Sequence, residues 1–232
     1  MTWVKICGIT NLLDAQMAVS LGADALGFIF APSKRQVDPQ TVQKIVSRLP
    51  PYTEKIGVFM DMEEQQVVKI ARFCGLSGLQ FHGRETPTYC KKFAGFQVIK
   101  AFRVNAQRGW DEILPYIQCN AVDRILLDTY VEGIPGGTGK TFPWKLVASF
   151  DWGNIPVVIA GGINPENVMR AICEATPFGV DVGSGVEREA GKKDHNKLVE
   201  LMQEIKAHNA DEYNAGKSSK VFVQGVKQER EV

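Results

Sequence analysis

The sequence has no long apolar run, no excess of one charge and no paired cysteines, and each lack excludes a class of function. The longest apolar stretch, Ala25 to Ala31, is far too short to cross a bilayer. Asn11 and Asp14 interrupt the N-terminus where a signal peptide needs its apolar segment, so the expected location is the cytosol, with no membrane partner. Lysine and arginine number 27 against 26 acidic residues, a formal charge of +1. That balance supplies no general field for nucleic acid, although a local patch can still hold a phosphate. The five cysteines, at 7, 74, 90, 119 and 173, are odd in number and contain no C-x-x-C pair. A disulfide framework or zinc knot is therefore not expected, and each thiol is judged alone.

What is present is an ordinary globular composition, 44% hydrophobic with 12 Phe and 4 Trp, enough for a sizeable core. Short β-branched and aromatic runs recur at 4–9, 25–30, 55–60, 78–82, 97–102, 124–130, 156–161 and 179–183. Amphipathic stretches lie between them, such as 11–21, 39–49, 63–74 and 165–174, with Asn11, Asp38-Pro39 and Asn164-Pro165 as starts. Eight strand–helix units in about 200 residues predict an α/β fold, a single-domain (β/α)8 TIM barrel over 1–208. An open doubly wound sheet would need a glycine-rich turn after its first strand, where this chain has Cys7-Gly8-Ile9-Thr10. Residues 209–232 carry no helical stripe and read as a mobile C-terminal tail.

In such a barrel, chemistry belongs at the C-terminal strand ends. Cys7 closes the first strand on the same face as Lys5. It is either a core-filling thiol or, with a cation favouring its thiolate, a base. Asp128 follows the apolar Ile125-Leu126-Leu127 and is either a loop cap or an acid whose pKa its neighbours raise. Arg35 is either solvated or a two-pronged grip on a carboxylate. His82 either packs or touches substrate, with Gln80 close by on the same strand. Gly161-Gly162 and Gly183-Ser184-Gly185, after the seventh and eighth strands, suit a phosphate held by backbone N–H groups. Gly136-Gly137-Thr138-Gly139-Lys140-Thr141 is out of register for a P-loop and reads as a flexible loop over the site.

Taken together and in order, these segments resemble the phosphoribosylanthranilate isomerases of tryptophan biosynthesis. The likeness runs over roughly 3–207 through Lys5-Ile6-Cys7-Gly8, Ser33-Lys34-Arg35, Leu79-Gln80-Phe81-His82-Gly83, Leu127-Asp128, Ala160-Gly161-Gly162-Ile163-Asn164-Pro165 and Gly179-Val180-Asp181. The resemblance implies an Amadori rearrangement of N-(5-phosphoribosyl)anthranilate with no cofactor or metal. It implies Asp128 as general acid, Cys7 as general base and Arg35 on the substrate carboxylate, with the glycine turns on the phosphate and Asp181 supporting them. It further implies a small-molecule partner, an anthranilate-linked ribose phosphate, and a monomer or homodimer. One departure is the turn Gly183-Ser184-Gly185, where a second serine is common before the final glycine. Rival readings are a related phosphate-binding barrel of histidine or tryptophan biosynthesis, a non-catalytic barrel scaffold, and a nucleotide switch.

Overall fold

The structure, a computed structural model, describes residues 1–129 and 141–228, with side chains described through 211. The Gly-rich segment 136–140 lies outside the described residues. Eight parallel strands close on themselves: β1 (Trp3–Cys7), β2 (Ala25–Ile29), β3 (Glu54–Phe59), β4 (Gly78–Phe81), β5 (Gln97–Val104), β6 (Arg124–Thr129), β7 (Val157–Ile159) and β8 (Gly179–Val182). Closure is the β1–β8 pairing, with Lys5 opposite Asp181. The helices between them are α1 (Leu12–Ser20), α2 (Pro39–Val46), α3 (Glu64–Cys74), α4 (Pro87–Cys90), α5 (Leu114–Gln118), α6 (Lys145–Ser149) and α7 (Val168–Ala175). After β8 a 3-10 turn, Ser184–Val186, leads into a small hairpin of β9 (Glu187–Glu189) and β10 (Lys192–Lys193), then α8 (His195–Gln228).

Asn11 and Asp38 cap α1 and α2 as their residue types suggest, accepting from the backbone N–H groups of Asp14 and Thr41 at 2.9 Å each. Asn164-Pro165 does not start a helix. Asn164 and Asn167 exchange side-chain to backbone bonds of 2.9 and 3.0 Å, which close a separate turn and delay α7 to Val168. Within 209–232, the backbone of α8 continues helically to Gln228. Its first turns dock through Leu198, Leu201, Met202 and Ile205, all buried at helical spacing. No proline follows Pro177, so none interrupts the helix.

Side chains inside the barrel stack in layers. Arg124 closes the bottom, paired to Glu54 at 2.7 and 3.0 Å and lying 4.7 Å from the centre of the Trp3 ring. Above it Ala25, Ile56, Ile99, Leu126 and Val158 form a dry layer. Each large aliphatic side chain buried there contributes about 1.5–3 kcal/mol, which rigidifies the platform for the layer above. That upper layer is polar, and it is where function is to be sought. Among the described residues, no helix is long and apolar enough to cross a membrane.

Candidate active site at the C-terminal mouth of the barrel

Strand alternation points Lys5 and Cys7 of β1, Gln80 of β4, Arg103 of β5, Asp128 of β6 and Asp181 of β8 toward the barrel interior. Lys5 is fully buried and meets Asp181 at 2.9 Å. Room for it exists because β2 carries Gly27, where a β-carbon would sit 2.7 Å from Cys7 Sγ and 3.1 Å from Lys5 Cε. A larger residue on β2 would drive the thiol off its position.

The ionisation of Cys7 departs from the sequence expectation. Burial pushes the thiol up, and this outweighs the lowering by Lys5, whose charge Asp181 already offsets. The Asp128 carboxyl is raised, the direction that the sharper reading supposed. Burial raises its carboxyl to about 6, with the nearby Asp181 adding to the rise, while the Thr129 N–H, Arg103 and Lys5 oppose it. Its Oδ1 accepts from the Thr129 N–H at 2.8 Å. His82 Nε2 stands 3.6 Å from Asp128 Oδ2, too far for a hydrogen bond. Burial, with Arg103, Lys100 and Lys5 nearby, lowers His82 to about 3, so the ring is neutral and the pair is no salt bridge. Arg103 was not anticipated. The sequence reading ended the fifth strand at residue 102, whereas β5 runs to Val104 and sets Arg103 opposite Asp128.

The glycine turns come together. Gly161 and Gly162 have φ of +81° and +70°, backbone that side chains rarely adopt. A β-carbon on Gly161 would lie 2.6 Å from Asp128 Oδ1, so this turn also makes room for the acid. One on Gly185 would overlap the carbonyl oxygen of Ile163, so the turns after β7 and β8 lie backbone to backbone. Ser184 opens the 3-10 turn beside them, and the Gly183 carbonyl accepts from Lys193 Nζ at 3.0 Å.

Arg35 is neither solvated nor open on all edges. Its guanidinium makes contacts of 2.7, 2.8 and 3.0 Å with Glu187, a residue absent from the sequence reading together with Lys193. Both belong to the hairpin after β8, a short polar stretch with no periodic signal. Gln80 Oε1, His82 Nε2 and Asp181 Oδ1 are among the buried atoms at the mouth with no hydrogen-bond partner among the described residues. Such atoms cost stability, about 1–3 kcal/mol each, unless a ligand satisfies them. A cavity of about 370 Å³ lies at the opposite end, lined by Val147, Trp152, Ile155 and Phe178, and it holds none of this chemistry.

The arrangement therefore offers a raised-pKa acid, a thiol, a cation and paired glycine turns around one opening. Residues 4–204 match the family model described as N-(5'-phosphoribosyl)anthranilate isomerase. A relative of that name from Desulforudis audaxviator is 50% identical over 201 residues, covering 85% of this chain and 95% of its own length. A crystal structure of phosphoribosyl anthranilate isomerase from Thermotoga maritima is 42% identical with a TM-score of 0.83, covering 89% of this chain and 100% of its own. A structure of such an isomerase with reduced 1-(o-carboxyphenylamino)-1-deoxyribulose 5-phosphate is 39% identical, with a TM-score of 0.79 and the same coverage. The chain belongs to the N-(5'-phosphoribosyl)anthranilate isomerase family.

Proposed function

We propose that the chain carries out its family's isomerisation, a step of tryptophan biosynthesis, by general acid–base catalysis between Asp128 and Cys7. The substrate is N-(5'-phosphoribosyl)anthranilate and the product 1-(2-carboxyphenylamino)-1-deoxyribulose 5-phosphate. The acid donates a proton to the ring oxygen as the C1–O bond breaks, and the anthranilate nitrogen lone pair forms the Schiff base. The thiolate then removes the proton from C2, and the released electron pair gives the enolamine. Loss of the hydroxyl proton at C2 with protonation at C1 yields the ketone. Each group contributes about 10²–10⁴-fold when well placed.

The observation that carries this reading is the carboxyl of Asp128, raised to about 6 at the barrel mouth and able to hold a proton near neutrality. Supporting it, the touching turns at Gly161-Gly162 and Gly183-Ser184-Gly185 suit the ribose phosphate. The orphaned atoms of Gln80, His82 and Asp181 suit the ribose hydroxyls, and Arg35 suits the anthranilate carboxylate. The reading includes a cytosolic enzyme that works as a monomer or homodimer on a small molecule, with no nucleic acid partner.

The test follows the fluorescence of substrate made in situ, for wild type beside Cys7→Ser and Asp128→Asn. Rapid loss of fluorescence with wild type alone is expected. No conversion by folded wild type would sink the assignment, and near-normal turnover in either variant would remove that residue from the mechanism.

A further inference from the structure

Arg35 is well held for a side chain meant to receive a substrate. Its Nε and Nη2 are engaged by both oxygens of Glu187, so one edge of the planar guanidinium is occupied and the edge through Nη1 is left. Its Cδ passes so close over Gly8, the residue after Cys7, that a β-carbon there would lie 2.7 Å away. The guanidinium therefore stands beside the end of β1. Glu187 is only 4% exposed, against 21% for Arg35. It accepts a further bond from Lys193 Nζ at 3.1 Å. That same Nζ donates to the Cys7 carbonyl at 2.6 Å and to the Gly183 carbonyl at 3.0 Å. One buried ammonium thus ties the strand end carrying the thiol, the glycine turn after β8 and the carboxylate that grips Arg35.

Lys193 meets the same carboxylate as Arg35, and burial lowers its pKa while Glu187 opposes that lowering. Glu187 engages one edge of the Arg35 guanidinium and leaves the Nη1 edge unengaged by it. Holding a long side chain in advance removes the rotamer entropy that binding would otherwise cost. Burial opposes ionisation of Glu187, yet Arg35 and Lys193 hold its carboxyl below the usual range, so it stays a carboxylate at neutral pH. Gly191 N–H adds a bond to the same oxygen at 3.3 Å, and the Gly191 carbonyl accepts from Thr10 Oγ1, so the hairpin is fastened to the loop after β1.

We infer that Glu187, itself held by Lys193, is a positioning residue that clamps one edge of Arg35 and so presents the other as a carboxylate reader. The inference rests on the reading above that Arg35 faces the anthranilate carboxylate. Its consequence is selectivity: Glu187 governs how strongly the enzyme favours a ligand with the ortho carboxylate over the same ligand without it.

The experiment uses the full chain and two probes, the reduced product analogue 1-(2-carboxyphenylamino)-1-deoxyribitol 5-phosphate and its counterpart lacking the carboxylate. Titration calorimetry gives the ratio of their Kd values for wild type, Arg35→Ala, Glu187→Gln, and the double variant. Glu187→Asp keeps the charge and shortens the reach, and it serves if the glutamine variant fails to fold. Arg35→Ala should lower the ratio by about tenfold or more, as loss of a charge-assisted contact does. Glu187→Gln should lower it several-fold with the carboxylate-free probe little changed, and the double variant should lose no more than Arg35→Ala alone. Glu187→Asp should fall between wild type and Glu187→Gln. Equal weakening of both probes in the Glu187 variants would show a merely structural role and overturn the inference while the Arg35 reading stands. An unchanged ratio in Arg35→Ala would overturn both, because there would be no reader to position.

Discussion

The two groups proposed to carry the chemistry have their proton affinities in an unhelpful order, and the pH profile should reveal it. The proposed acid, Asp128, is raised to about 6, and the proposed base, Cys7, is raised above its ordinary 9.0. Between those values the dominant form carries the shared proton on sulfur, whereas catalysis needs it on the carboxyl. The competent form is then a minor fraction of the enzyme, falling tenfold for each unit by which the Cys7 pKa exceeds that of Asp128, about 1.4 kcal/mol of barrier per unit. Both forms hold one proton, so their ratio does not change with pH across that window. Activity should therefore be flat from just above pH 6 up toward the Cys7 pKa. It should fall below about 6 as Asp128 and Cys7 both become protonated, and fall above the Cys7 pKa as both lose their protons. The assay is kcat at saturating substrate across that range. Because the substrate phosphate also titrates near about 6, it is paired with a carbon-13 carboxyl titration of Asp128 assigned by its loss in Asp128→Asn. Thiolate absorbance, taken as wild type minus Cys7→Ser, locates the sulfur. A thiolate forming below the pKa of Asp128 would refute the reasoning, and activity would then trace a narrow bell.

Two glycine substitutions probe the packing behind Cys7 and Asp128. Gly27→Ala places a β-carbon 2.7 Å from Cys7 Sγ, and the resulting overpacking should cost about 1–3 kcal/mol of stability. It should also cost up to about 10²-fold in kcat through displacement of the thiol; denaturant melts and kcat matching wild type would contradict this. Gly161→Ala adds both a positive φ of +81° and a contact 2.6 Å from Asp128 Oδ1, so it should be the more damaging change. Its effect should appear in the Asp128 carboxyl titration, and an unmoved resonance would contradict the close approach.

The barrel was legible because its signals are local and repeated. Strand runs such as 124–130 and capped helices such as that beginning at Pro39 carry their own periodicity and end marks. Cys7 and Asp128 were legible as polar residues closing apolar strands, and the resemblance joined them. Arg103 escaped because β5 extends two residues past the expected end, carried by cross-strand pairing with β6 rather than by a sequence mark. Glu187 and Lys193 escaped for a different reason: their roles arise from contacts with Arg35 and Cys7 far away in sequence, in a hairpin with no pattern of its own. The direction of the Cys7 shift was misread because Lys5 is visible beside it in sequence, while the burial and the Asp181 partner are not. The continued helix beyond residue 208 lacks an apolar stripe, the one feature the sequence reading relied upon.

The division of labour between acid and base is tested most directly by substrate carrying deuterium at the ribose C2. In Cys7→Ser, proton removal becomes the slow step, so a full primary isotope effect on kcat is expected. In Asp128→Asn, ring opening becomes slow and the effect should shrink toward unity. Isotope effects of equal size in the two variants, or the reverse order, would contradict the assignment of Cys7 to C2 and Asp128 to the ring oxygen.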